Sequence, residues 1–257
     1  MGIRINTNVE ALNAQRNLSA TAVSFGKSVE KLSSGLRINR SADDAAGLVI
    51  SEKLRGQVRG LNQATRNAQD GISMIQVGEG ALNEVHSMLQ RIRELAVQRA
   101  NGTNDATATS AIDAEVSSLG TAIAQIASNT KFNGKSVISA ATVTFQVGAD
   151  EAQSFTLTTT ALGTAPGATS VSAVDAAIDA VSTQRGVFGA AQNTLEHIVN
   201  NLAVAAENMA ASESRIRDLD VAAEMVSFTK SQILSQAGTA ILAQANQAPQ
   251  SVLSLLR

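Results

Sequence analysis

Residues 50–75 read ISEKLRGQVRGLNQATRNAQDGISMI. Leu54, Val58, Leu61, Thr65, Ala68, Ile72 and Ile75 recur there at alternating steps of four and three. That heptad lays a narrow apolar stripe along a helix, and a second helix must cover it. Ile50 stands four residues before Leu54, so two steps of four adjoin, and this local 11-residue spacing relaxes a left-handed supercoil toward a straight rod. The segment Val77-Gly78-Glu79-Gly80 interrupts the stripe and reads as a helix break or kink. Leu82, Val85, Leu89, Ile92 and Ala96 resume it, and Asn101-Gly102-Thr103-Asn104 ends it with Asn/Gly stop chemistry. A helix from about Ala45 to Ala100 would extend roughly 80 Å at 1.5 Å per residue.

The same theme runs outward in both directions. Ala11, Ala14, Leu18, Ala22, Phe25, Val29 and Leu32 form an earlier stripe of smaller side chains, followed by a loop from Ser33 to Asp44. Ile112, Val116, Leu119, Ile123 and Ile126 form a later one. After Asn133-Gly134 the period changes to two: Val143, Phe145 and Val147 alternate with polar residues, as do Phe155 and Leu157, with Gly148-Ala149-Asp150-Glu151 between them. This predicts one β-hairpin. Residues 159–172, rich in Thr, Ala, Gly and Ser and holding Pro166, predict a surface loop. Helical spacing returns at Val174, Ile178 and Val181, continues through Leu195, Ile198, Leu202, Ala205 and Met209, and then at Val221, Met225, Phe228, Leu234, Ala237 and Ile241. Pro249 precedes an apolar tail, Val252 to Arg257.

Composition agrees with thin helical layers. Of 257 residues, 44% are hydrophobic but only 2% aromatic, with six Phe and neither Trp nor Tyr. A deep-cored enzyme of this size normally fills its centre with rings. The pattern predicts a mainly α fold: an elongated antiparallel helical bundle or coiled coil with paired N- and C-terminal helices and one small β-hairpin region. Each terminal segment alone is a marginal helix, expected to order by packing on copies of the same chain. A net charge of −2 and a pI near 5.7 give no basic field for nucleic acid or anionic membrane. Cys is absent, which excludes disulfides and thiolate sites. No apolar run approaches the roughly 20 residues of a bilayer span. The start, Met1 to Asn8, has no apolar signal region, so if the protein leaves the cell, a route that cleaves nothing is expected.

Particular blocks resemble bacterial flagellin. They are Ile5-Asn6-Thr7-Asn8 with Ala11 to Arg16, Leu32 to Asn39 followed by Asp43 to Leu48, and Gln90 to Gln98. At the other end stand Gln236 to Thr239, Ala243 to Gln247, Pro249-Gln250 and Val252 to Arg257. They lie in both halves, in the family's order, and cover the chain outside roughly 140–175.

The resemblance implies the structural subunit of the flagellar filament, secreted unfolded and self-assembling into a helical tube for swimming. It also implies a layout. Residues 1–44 would be an inner-core helix and connecting loop, 45–142 outer-core helices, and 143–173 the hairpin with a short residual variable loop. Residues 174–215 would return as outer core and 216–257 as the C-terminal inner-core helix. The implied partners are further copies of the chain, an export chaperone on the C-terminal segment, hook-associated junction and cap proteins, and host immune receptors reading the monomer. Neither nucleic acid nor membrane is expected, nor a cofactor, metal or catalytic residue. Heterologous contacts that do not close suit such a tube. A hook–filament junction protein shares the terminal helices, but the finish Ser254-Leu255-Leu256-Arg257 favours flagellin.

Candidate sites follow. For subunit packing they are Leu18, Phe25, Val29, Leu32, Met225, Phe228, Leu234, Ile241, Leu253, Leu255 and Leu256. An exposed apolar end calls for a partner; an intramolecular helix cap is the alternative. Arg91, Leu95 and Glu115 match positions through which the vertebrate flagellin receptor binds the family. Arg91 and Leu95 share a helix face four residues apart, and Leu95, offset from the heptad, reads as an exposed anchor; a solvated helix face is the alternative. Residues 30–51 resemble the segment that plant receptors read. Arg37, Asp43, Asp44, Gly47 and Leu48 keep its pattern, while Glu30, Lys31, Ser34, Arg40, Ser41 and Ser51 depart from it.

Asp43-Asp44 reads first as a helix start, where carboxylates suit the positive end of the dipole, rather than as a metal site. His86 and His197 stand in no HExxH and read as helix-surface residues. Gly78-Glu79-Gly80 follows no strand, so it is no dinucleotide loop. The Ser and Thr of 154–172 are solvated loop residues or O-glycan carriers. No nucleophile, base and oxyanion donor come together in the pattern.

Overall fold

A computed structural model describes residues 7–160 and 170–255. Pro166, most of the Thr/Ser-rich loop, Ile5-Asn6 and Leu256 lie outside the described residues, as do the side chains of Leu253 and Leu255. The order is α1 (Val9–Ser34), α2 (Ala45–Arg99), α3 (Ala106–Asn129), β1 (Lys131–Phe132), β2 (Lys135–Ser136), β3 (Ala141–Gln146), β4 (Ser154–Thr159), α4 (Val171–Arg217) and α5 (Val221–Leu255). Short polar side chains start four of the helices by accepting an otherwise unpaired amide. Asn8 accepts from Ala11 at 3.0 Å, Asp44 from Gly47 at 2.8 Å, Asp105 from Ala108 at 2.7 Å and Asp220 from Ala223 at 3.1 Å. Gly35, at φ 71°, closes α1 in the left-handed conformation. The chain divides into two compact units, a terminal one (residues 1–55 and 210–257) and a central one (56–209).

In the central unit α2 runs through the glycines without a break. Besides Met74 and Leu95, its buried positions there are Leu61, Ala64, Ala68, Gly71, Ile75, Gly78, Leu82, Val85, Leu89, Ile92 and Ala96. Those eleven, from Leu61 to Ala96, form one unbroken heptad, so the interruption expected at 77–80 is corrected. A Cβ on Gly78 would lie 2.6 Å from Phe188 and 2.7 Å from Val137, so the missing side chain is the socket for a ring. Gly71 likewise faces Leu195 and Phe145 at 3.2 and 3.3 Å. The seam therefore passes through Ala64 and Gly71, and Thr65 and Ile72 stand half-buried beside it.

Val174, Val181, Phe188, Leu195 and Leu202 of α4, and Ile112, Val116 and Ile123 of α3, complete the core. Both helices run antiparallel to α2. Arg93 meets Asp175 at 2.6 Å and Glu79 meets Arg185 at 3.9 Å on one flank; Arg91 meets Glu115 at 3.0 Å and Arg99 meets Asp113 at 2.7 Å on the other.

The expected hairpin is β3 with β4, pairing Val143 with Leu157 and Phe145 with Phe155. A second, β1 with β2, was not anticipated from the sequence. Its turn is Asn133-Gly134, both with positive φ (46° and 78°), the requirement of a tight hairpin turn and the signal that could have disclosed it. It delivers Val137 and Ile138, fully buried, onto the core.

Candidate functional site

In the terminal unit α1 and α5 lie antiparallel. The Asn8 side-chain amide donates to the Ala245 carbonyl at 2.7 Å, Leu18 faces Gly238, Phe25 stacks on Phe228 with ring centroids 4.9 Å apart, and the Ser28 hydroxyl donates to Glu224. The covered positions on α1 are Ala11, Ala14, Leu18, Thr21, Phe25, Ser28 and Leu32; on α5 they are Glu224, Phe228, Ser231, Ser235, Gly238, Leu242 and Ala245. Both sets are strict heptads. Small and hydroxyl side chains hold several knob positions, so the backbones approach closely and bury little apolar surface.

Apart from Phe228 and Leu242, the large apolar residues of α5 with described side chains lie elsewhere. Val221, Met225, Val226, Ile233, Leu234 and Ile241 are all exposed, Val226 at 71% and Ile233 at 60%. Met225, Val226, Thr229, Lys230, Ile233 and Leu234 line an open, mainly apolar groove along the helix. Of the packing candidates, the structure therefore brings Leu18, Phe25, Leu32 and Phe228 into the intrachain seam. It leaves Val29, Met225, Leu234 and Ile241 outside it.

The connector between α1 and α2 is tied to the α4–α5 junction. The Arg37 amide donates to the Arg217 carbonyl at 2.7 Å and the Leu219 amide to the Gly35 carbonyl at 3.0 Å, while the Arg37 guanidinium donates to the Ile216 carbonyl. Arg217 pairs with Glu52. Asp43 accepts from the backbone amides of Asn39 at 3.2 Å and Arg40 at 3.0 Å. Those two bonds, Arg40's first, hold its carboxyl below the ordinary value, since they favour the charged form. A Cβ on Gly47 would collide with Asp44 and with Ile38 at 2.8 Å, so Gly47 is the space in which Ile38 is buried. Asp43-Asp44 is thus a loop clasp and a helix cap. Leu48 is half-buried beside it.

On the central unit, Arg91 is clasped by Glu115 and by Glu94 at 3.1 Å, bonds that raise its pKa by stabilising the cation, Glu115's first. Leu95 is only 2% exposed, which corrects its reading as an exposed anchor. Arg91, Leu95 and Arg99 share one face, and both arginines pair with acids on α3. Leu95 lies between them, in the same apolar core as Ile112 and Val116. His197 is exposed; His86 is half-buried, its Nε2 2.9 Å from the Gln90 amide nitrogen, rather than a plain surface residue. Among the described residues no three His, Cys, Asp or Glu side chains cluster as metal ligands, and no helix is long and apolar enough to cross a membrane.

Comparison with known proteins decides the family. Residues 5–142 match the bacterial flagellin N-terminal helical region, and residues 171–256 match the bacterial flagellin C-terminal helical region. The flagellin of Halalkalibacterium halodurans is 50% identical over 98% of this chain and 99% of its own. The flagellin of Bacillus subtilis is 46% identical over 99% and 100%. Flagellin FlaB2 of Treponema pallidum is 48% identical over 98% and 99%.

The chain belongs to the bacterial flagellin family. It is a structural subunit of the flagellar filament, an extracellular polymer. For a flagellin, the two faces of α5 are then the features of interest, and sequence reading recovered only part of each. It followed large apolar residues and so placed Ala22 and Val29 on the α1 stripe, where Thr21 and Ser28 are the covered residues. It omitted Val226 and Ile233, the most exposed of the outer residues. The missed signal was a heptad of small residues, Ser231, Ser235 and Gly238, running beside the apolar one.

Proposed function

We propose that the outer face of α5 is the surface by which one copy packs on the next. The supporting observation is that six large apolar side chains, Val221, Met225, Val226, Ile233, Leu234 and Ile241, turn away from α1. Contiguous exposed apolar surface of this kind marks an interaction site. A contact between this face and a different face of a neighbour is heterologous; repeated without closing, it generates a helical tube. Exposed Val29 on α1 and, from the sequence, Leu253, Leu255 and Leu256 are assigned to subunit packing as well in this reading.

In the tube, residues 1–44 and 216–257 form the inner layer, 45–142 and 174–215 the outer layer, and 143–173 the hairpin with a short residual loop. The chain is exported unfolded. A chaperone covers the apolar C-terminal segment beforehand, and junction and cap proteins meet the filament's ends. It performs no catalysis.

Host recognition is a second property of the same subunit. Arg91 and Glu115 offer a charged surface over the buried Leu95, and Arg37, Asp43, Asp44, Gly47 and Leu48 form the ordered connector a plant receptor would read. The test of the main reading is seeded elongation. Chain lacking residues 234–257 is expected not to extend filament fragments, as followed by light scattering and electron microscopy. Normal extension by the truncated chain would overturn the role given to this face.

A further inference from the structure

We infer that Met225 is an oxidant-sensitive modification site whose state controls addition of a free subunit to the filament. This rests on the reading of the outer α5 face as the assembly surface. Four methionines lie among the described residues. Met74 is 3% exposed and Met88 and Met209 are half-buried, whereas Met225 is 46% exposed. It also lines the open groove with Val226, Ile233 and Leu234. A thioether with solvent on one side is the one a small oxidant reaches first.

The reaction is a two-electron oxygen transfer. The Sδ lone pair attacks one oxygen of a hydroperoxide such as hydrogen peroxide. The O–O bond breaks, an S–O bond forms, and the other oxygen leaves as water after taking a proton. Sulfur is oxidised and the peroxide is reduced, with no further reactant. The product replaces a flexible apolar side chain with a polar, chiral one in the middle of an apolar groove. The aliphatic neighbours Val226, Ile233 and Leu234 offer it no hydrogen bond, the Thr229 hydroxyl already donates to the Met225 carbonyl at 2.8 Å, and only Lys230 at the groove's edge carries a further donor, so packing an apolar side chain over the sulfoxide costs desolvation. The sulfoxide therefore weakens packing of the next copy. Once packed, the same side chain is covered, so oxidation acts on free subunits and spares those in the filament.

The experiment treats purified full-length chain with hydrogen peroxide, maps oxygen incorporation by peptide mass spectrometry, and measures the critical concentration for seeded elongation. Expected results are that Met225 is modified before Met74, Met88 and Met209, and that the critical concentration rises by roughly tenfold, the loss for removing one apolar side chain from a buried contact. Methionine sulfoxide reductase should reverse the rise. Whatever its own starting value, Met225→Leu should show the same critical concentration before and after treatment. The inference is overturned if Met74, Met88 or Met209 is modified as early as Met225. It is equally overturned if fully oxidised Met225 leaves elongation unchanged, or if Met225→Leu is as sensitive as the natural chain. A double variant, Ile233→Ser with Leu234→Ser, is assayed without oxidant. Its normal elongation would refute the assembly surface itself. Its failure to elongate, beside an inert sulfoxide, would refute only the inference.

Discussion

The α1–α5 seam and the core of the central unit follow the same heptad, yet they bury different things. Around α2 the seam positions are Leu, Ile, Val and Ala, two glycines admit Phe188 and Leu195, and helices α3 and α4 cover two flanks. Between α1 and α5 the positions include Thr21, Ser28, Glu224, Ser231, Ser235 and Gly238, and Val221, Val226, Ile233, Leu234 and Ile241 of α5 point outward. One unit completes its hydrophobic core within the chain. The other uses small residues within the chain and leaves its apolar surface for something else. A periodic stripe shows that a helix has a partner; the size and polarity of the residues on it show whether that partner is enough.

The sharpest way to break this comparison is to remove one ring from each unit. Phe188 is fully buried, and Phe188→Ala is expected to destabilise the central unit by about 3–5 kcal/mol. Phe228 is half-buried and stacks on Phe25, so Phe228→Ala should cost the free chain only about 1–2 kcal/mol, most of it the aromatic pair. Amide hydrogen exchange, read separately for α2 and α1, checks both. Equal losses would remove the distinction.

A smaller effect sharpens the account of the central seam. Gly78→Ala must push Phe188 and Val137 aside and should lower stability by about 1–3 kcal/mol. Gly80→Ala, with nothing within 4 Å, should raise it by about 0.5–1 kcal/mol through helix propensity. Denaturant midpoints of the two variants should therefore move in opposite directions.

The smallest effect concerns the connector. Its Asp43 carboxyl is held below the ordinary value of 3.8 in the folded chain. A depressed folded value means that the clasp contributes fully above the unfolded value and is lost as pH falls through the folded one. The amides of Asn39 and Arg40, followed by NMR during acidification, should keep their bonded shifts through the ordinary carboxylate range and lose them below it. Asp43→Asn should abolish that transition.

Much of this was legible beforehand. The helix α2 from Ala45, the stripe of α3 and the existence of the hairpin around residues 148–151 follow from period and turn residues, because period is a local property of covalent geometry. Three features were not. Gly78 looked like a break because a glycine in sequence has no address; only the ring of Phe188 shows that it is a socket. Leu95 looked exposed because one stripe was assumed, whereas α2 is covered on two flanks. The connector read only as a loop, although Ile38 is buried in it and Arg37, Asp43, Asp44 and Gly47 are all engaged in holding it.

The amino-acid sequence by itself therefore determined the helical class, the order of the helices and, through its blocks at both ends, the family. These depend on spacing and identity along the chain. Tertiary structure alone decided which of two adjacent stripes on α5 turns inward. Both are periodic, and the choice rests on the fit of Ser231, Ser235 and Gly238 against α1 at close approach. That choice leaves Met225, Val226, Ile233 and Leu234 facing out.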